Sequence, residues 1–229
     1  MSKARIAVIG AGLMGHGIAQ VFAVAGHEVT VSDTVMKNLD TLAARIAANL
    51  RDLDEDEGAV ARVRPCVDLG EAVRDADYVV EAVFEDLALK QKLFTEIEAH
   101  VRADTILASN TSVIPITSIM DGLKRRERAL GTHWWNPPFL VPLVEVIETQ
   151  WTSPAAVAWT MDLHRAAGKQ PAQPARRHDH DAVDHQPDQI EHSRQHHDLQ
   201  GDAAVSRAHE LREQRQHEQR HLGIKNVGE

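Results

Sequence analysis

A chain of 229 residues with a formal charge of −9 has room for one sizeable core, or one plus a small second domain. Its acidity argues against a partner gripped through a large basic surface, which sets aside duplex DNA and anionic membranes in favour of a small-molecule substrate. Cys66 is the only cysteine, so an intrachain disulfide and a cysteine-rich metal site are excluded, and a reduced, cytoplasmic setting is expected.

The first predicted element is an apolar strand at residues 6–9, too short for a signal-peptide core and followed at once by glycines. A helix is predicted over 14–25, a strand over 28–32 and a second helix over 35–50. Further on come a strand at 78–82, a helix at 87–100, and strands at 106–109, 129–133 and 143–147. A last helix is expected over 154–167, with Pro154 in its first turn and Gly168 placed to end it. Short apolar runs alternating with helical periodicity are the signature of βαβ units, so the fold class is α/β: a Rossmann-type, doubly wound, mostly parallel sheet over residues 1–172. No stretch approaches the ~20 apolar residues of a membrane span.

Beyond Ala172 the character changes. The last 57 residues hold nine of the fourteen histidines, no Phe, Trp or Tyr, and only eight residues from Val, Ile, Leu and Met. Such a segment cannot build an ordinary core, and residues 173–229 are expected to be a disordered or partly helical polar tail, with a charged helix over 203–220. His178 with His180, and His196 with His197, are spaced to chelate a metal, but incidental composition bias is the preferred explanation and no metal is expected.

The stretch Gly10-Ala11-Gly12-Leu13-Met14-Gly15 follows the first strand and opens the first helix. In that context Gly10 permits the tight turn, Gly12 lets backbone approach a pyrophosphate, and Gly15 lets helix pack close to strand. Asp33 ends the second strand eighteen residues after Gly15, close to the ~20 expected of an acid that hydrogen-bonds the adenosine ribose. A carboxylate there repels a 2′-phosphate, so NAD is preferred over NADP; FAD, with the same phosphate chemistry, stays open.

Oxidising an alcohol with a nicotinamide requires a base, and histidine suits that work near neutrality. His133 ends a predicted strand, where open α/β sheets deliver residues to the ligand crevice. Glu145 lies in the next strand among apolar neighbours and needs a partner, which a histidine would supply. A loop histidine and a sheet glutamate bonded to backbone is the plainer alternative.

Residues 10–23 (GAGLMGHGIAQVFA), 79–90 (VVEAVFEDLALK), 109–112 (SNTS) and 133–146 (HWWNPPFLVPLVEV) together resemble the NAD-binding domain of the 3-hydroxyacyl-CoA dehydrogenase family. The resemblance spans about residues 1–172 and implies an NAD-dependent oxidoreductase of fatty acid metabolism. By it, His133 is the catalytic base, Glu145 its orienting carboxylate, Ser112 a polar group near the substrate oxygen, and Asn136 a neighbour of the nicotinamide or substrate. Gly10, Gly12, Leu13, Met14, Gly15, Asp33, Glu85 and Lys90 match its cofactor positions. Plainer readings stand beside three of these: a helix-start acid for Glu85, an exposed lysine for Lys90, and a turn or cap for Ser112.

Two departures from the family affect function. Residues 51–57 (RDLDEDE) are strongly acidic where relatives acting on CoA thioesters carry basic groups, so a small free hydroxy acid, as in gulonate or pyridine-carboxylate dehydrogenases, stands level with a 3-hydroxyacyl-CoA as substrate. After Ala172 the family continues into a last strand, a Pro-Gly-Phe…Asn-Arg motif and a helical domain that forms the homodimer. None of that is recognisable here, as though the remainder were read out of frame. A non-catalytic NAD-binding remnant is therefore the alternative function.

Overall fold

The computed structural model describes residues 3–174; the polar tail, its expected helix and the paired histidines lie outside them. The elements are β1 Arg5–Ile9, α1 Leu13–Val24, β2 Glu28–Ser32, α2 Met36–Asp40, α3 Leu42–Asp52, β3 Val63–Cys66, α4 Leu69–Val73 and β4 Tyr78–Glu81. There follow α5 Leu87–His100, β5 Ile106–Ser109, α6 Ile116–Met120, β6 Ala129–Trp134, β7 Leu143–Glu148, α7 Pro154–Ala166 and β8 Gln170–Ala172. They build one sheet in the order β3-β2-β1-β4-β5-β6-β7-β8. All pairings are parallel except β6 with β7, so the sheet is the mostly parallel, doubly wound one expected.

Alternation along each strand feeds two cores, because successive side chains leave a strand on opposite faces. In β1, Ile6 and Val8 join the core under α1, α3 and α7, whereas Ala7 and Ile9 join the one under α4, α5 and α6. Strand β4 repeats the split with Tyr78 and Val80 on the first side and Val79 on the second. Strands buried on both faces favour near-continuous apolar runs, as residues 6–9 of β1 and 78–80 of β4 show. The chain reverses its direction of travel across the sheet between β1 and β4, and such a switch point opens a crevice beyond the strands' C-terminal ends.

Helix termini follow local signals. The Asp86 carboxylate accepts the Leu89 amide to start α5, and the Ser153 hydroxyl accepts the Ala156 amide to start α7. Gly168, with φ +79°, turns the chain out of α7.

The structure corrects the expectations in four places. The helix expected over 35–50 is two helices meeting at Thr41, whose hydroxyl donates to the Lys37 carbonyl at 2.8 Å, a side-chain bond that competes with the helical ladder. Strand β3 carries Pro65 at the sheet edge, where a missing amide is tolerated. Helices α4 and α6 are five residues each, too short to leave a periodic pattern. A last strand does form after α7: β8 pairs with β7 through Gln170 opposite Leu143. Among the described residues no helix is long and apolar enough to cross a membrane.

Candidate functional site

The turn after β1 is shaped by three glycines. Gly10 has φ +100°, and a methyl group there would come within 2.6 Å of the Ala82 carbonyl oxygen. At Gly15 it would lie 1.7 Å from the Gly10 carbonyl oxygen, whereas at Gly12 it would meet nothing within 4 Å. Two of the glycines are thus required by the fold, and the third faces open space. Helix α1 begins there without a side-chain cap and without an acid in its first turn, leaving its end amides and their partial positive charge for an anion. Leu13 is exposed and Met14 half-buried at the front of this helix.

Asp33 stands at the tip of β2, beside this turn. Its carboxylate accepts the Ala11 amide and the Val35 amide, each at 2.7 Å, and the Asn38 side-chain amide at 3.0 Å. It is therefore tied to the glycine loop rather than an unrelated surface aspartate. Arg45, from α3, was not anticipated: its guanidinium donates to the carbonyls of Ala11 at 2.7 Å, Asn38 at 2.8 Å and Gly12 at 3.4 Å. An open glycine turn, uncapped helix amides and a carboxylate on the neighbouring strand are groups of the kind that suit a dinucleotide.

On the other side of the crevice, Glu85 and Lys90 lie 3.4 Å apart. Lys90, however, is only 1% exposed, which overturns its reading as a surface lysine. Its ammonium donates to Glu81 at 2.6 Å, a residue that sequence reasoning passed over as the last member of an apolar strand. Glu81 also accepts the Ser109 hydroxyl at 2.6 Å and the Val83 amide at 2.7 Å. Burial pushes the Glu81 carboxyl up, with Lys90 and Ser109 opposing. Glu85 accepts the Ser112 amide at 2.7 Å and the Thr111 hydroxyl at 2.9 Å, which fixes the turn where Ser112 is exposed.

His133 and Glu145 face each other directly across the antiparallel β6–β7 pair, and His133 Nδ1 lies 2.7 Å from Glu145 Oε2. The Trp135 ring centroid is 5.1 Å from that of His133. The Trp134 amide donates to the Asn110 side-chain oxygen at 2.9 Å, so the turn bearing Ser112 is tied to the strand bearing His133. Asn136 is half-buried three residues beyond His133, and its side-chain oxygen accepts no hydrogen bond among the described residues. The loop from Asn136 to Pro142 is held from below by Lys169, another residue without a sequence signal. Its ammonium donates to the carbonyls of Pro138 and Val141, and burial pulls its pKa down to about 8.

A switch-point crevice with an open glycine turn, an acid on the neighbouring strand and a histidine–carboxylate pair at the strand tips defines a dinucleotide-binding domain of the dehydrogenase class. Sequence and structure comparisons narrow the class. The chain belongs to the family of the 3-hydroxyacyl-CoA dehydrogenase NAD-binding domain, which it matches over residues 5–176, and its cofactor is NAD. It is 36% identical over 171 residues, 72% of this chain and 55% of the other, to 5-formyl-3-hydroxy-2-methylpyridine 4-carboxylate 5-dehydrogenase of Mesorhizobium japonicum. It is 37% identical over 179 residues, 72% and 57% of the two chains, to mitochondrial hydroxyacyl-coenzyme A dehydrogenase of Homo sapiens. The solved 3-hydroxybutyryl-CoA dehydrogenase of Escherichia coli superposes with a TM-score of 0.72 at 34% identity, covering 76% of this chain and 38% of that one. The chain thus spans about half the length of the curated relatives it matches.

Proposed function

We propose that this chain uses NAD to oxidise the hydroxyl of a 3-hydroxy acid or of its CoA thioester to the keto form, with His133 as general base. The observation that carries the reading is the 2.7 Å contact between His133 Nδ1 and Glu145. An ionised carboxylate only accepts, so Nδ1 carries the proton and Nε2 keeps the lone pair that a base needs. Bound NAD supplies the acceptor for the hydride that leaves the carbinol carbon. As that C–H bond breaks, His133 Nε2 takes the hydroxyl proton, and Glu145 stabilises the imidazolium that results. Ser112 and Asn136, on the turns beyond β5 and β6, are proposed to orient the substrate oxygen. Gly10, Gly12, Leu13, Met14, Gly15 and Asp33 hold the dinucleotide, and Glu85 and Lys90 brace the opposite wall.

Both substrate classes have support. Relatives named for a pyridine carboxylate and for hydroxyacyl-CoA match to the same degree. The acidic run at the end of α3 and just beyond it favours the free acid: Arg51, its one cation, is taken by Glu57 at 2.9 Å, which leaves nothing basic in that run for CoA phosphates.

The test is NADH formation with 3-hydroxybutyryl-CoA and with a panel of free 3-hydroxy acids, for the full chain and for His133→Gln. Loss of a general base is expected to slow turnover about 10²–10⁴-fold, while NADH affinity, read by fluorescence, stays within about twofold. An equal loss of both would give His133 a structural role. Binding by the wild-type chain without turnover on any substrate would leave NAD retention as its function.

A further inference from the structure

Arg45 is a cation with no carboxylate within ion-pair distance among the described residues. It spends its guanidinium instead on three backbone carbonyls, two of them in the glycine turn. A trans peptide is planar, with its C=O and N–H pointing in opposite directions. Holding the Ala11 carbonyl on the α3 side therefore turns the Gly12 amide the other way; the Gly12 carbonyl, which Arg45 reaches at 3.4 Å, also accepts the His16 amide at 3.2 Å and lies 2.9 Å from His16 Nδ1, so the Leu13 amide is set by α1 itself. Neither the Gly12 nor the Leu13 amide donates to any group among the described residues, and Gly12 has open space beside its Cα. On the other flank the Ala11 amide is fixed by Asp33 at 2.7 Å. The turn is thus clamped at Ala11 from both flanks, its amide by Asp33 and its carbonyl by Arg45, with the Gly12 amide left facing away from α3.

We propose that Arg45 is a positioning residue for the dinucleotide: from α3, through the Ala11 carbonyl, it orients the Gly12 amide toward the diphosphate and adds a positive charge behind the turn. The inference rests on the cofactor reading above and extends it to a residue outside the glycine motif. A guanidinium suits the task because its planar fork reaches several carbonyls at once, which an ammonium cannot do with the same geometry. Its charge favours two phosphates without touching them, since the peptide planes lie between.

The test uses the full chain, with NADH and ADP-ribose as probes. Arg45→Met is expected to weaken both about tenfold to a hundredfold, and Arg45→Lys, which keeps the charge and loses the fork, about threefold. In turnover assays the KM for NAD should rise in step while the KM for the alcohol stays, a split that general loosening would not give. The Gly12 amide resonance in the wild-type chain should shift on adding ADP-ribose, and that measurement decides the matter if Arg45→Met fails to fold. Affinity within about twofold of wild type in a folded Arg45→Met, or a Gly12 amide indifferent to ADP-ribose that does bind, overturns the proposal. A wild-type chain that binds neither probe overturns the cofactor reading and this inference with it.

Discussion

Gly12 and Gly15 sit three residues apart in one turn, yet each lacks a side chain for a different reason. Gly15 is glycine because the Gly10 carbonyl occupies the place of a methyl group, so α1 can lie against β1 only if nothing projects there. Gly12 has an ordinary φ of −70° and nothing to strike, so the fold itself does not demand it. We expect Gly15→Ala to destabilise the protein by at least the ~1–3 kcal/mol of an overpacked core. Gly12→Ala should leave the urea midpoint nearly unchanged and weaken NADH binding at least about tenfold, because its methyl group would fill the diphosphate cradle. Equal effects of the two substitutions on stability would mean that the open face at Gly12 has been misread. The sequence motif showed where the glycines lie. It also carried their separate expected roles, Gly15 for packing and Gly12 for a ligand; what it could not show is which atoms crowd Gly15, the Gly10 carbonyl and the Val8 side chain.

At the scale of elements, the joint between β4 and α5 is electrostatic at its centre. Lys90, one turn into α5, meets Glu81 at the end of β4, with both side chains essentially excluded from water. Such a pair adds little against an apolar replacement of both partners, but breaking it leaves a buried charge unmatched. Lys90→Met should therefore lose ~3–5 kcal/mol, measured by chemical denaturation, and adding Glu81→Gln should return part of it. If the double variant is no more stable than the single one, the two groups are not energetically coupled. The sequence revealed α5 plainly, through its periodicity, but not this joint. An acid closing an apolar strand and a lysine nine residues later carry no pattern that marks them as partners. Arg45 and Lys169 escaped notice for the same reason: their partners are main-chain carbonyls supplied by segments remote in sequence. Helices α4 and α6 were hidden by their length, and β3 by its proline.

Across the molecule, His164 ties α7 to the sheet. It is fully buried, with ring centroids 5.7 Å from Phe22, 5.9 Å from Tyr78 and 5.1 Å from Trp134, so it joins α1, β4, β6 and α7 in one aromatic cluster. Its Nδ1 donates to the Thr160 carbonyl at 2.8 Å, while Nε2 is buried with no acceptor available among the described residues. Burial pulls its pKa down to about 4, below the ordinary value near 6.5 that the unfolded chain regains. Between these values the unfolded chain binds the proton and the folded one refuses it, so stability falls as pH drops from about 6.5 to about 4. The full loss amounts to ~3 kcal/mol, of which ~2 kcal/mol appears by pH 5. Urea melts at pH 7 and pH 5 measure it, and His164→Phe should remove that share; equal pH dependence in variant and wild type would acquit this histidine. The mostly parallel order of the sheet was readable from the alternation of strand and helix, as were the strands carrying His133 and Glu145. The burial of His164 was not, because a lone histidine within a helix does not disclose which neighbours surround it.

The reversal of direction between β6 and β7 makes the His133–Glu145 contact a matter of odd and even. In such a pair, neighbouring positions along a strand project to opposite sides. Deleting one residue of β7 beyond Glu145, with the rest of the strand held in register, would thus send its carboxylate to the far face while the imidazole stays put, and deleting a second would bring it back to the first face, displaced along the strand. Length changes confined to the connecting loop, by contrast, leave this parity intact. The proposed proton-transfer pair is therefore buffered against drift in the loop and defenceless against a single-codon slip in the strand.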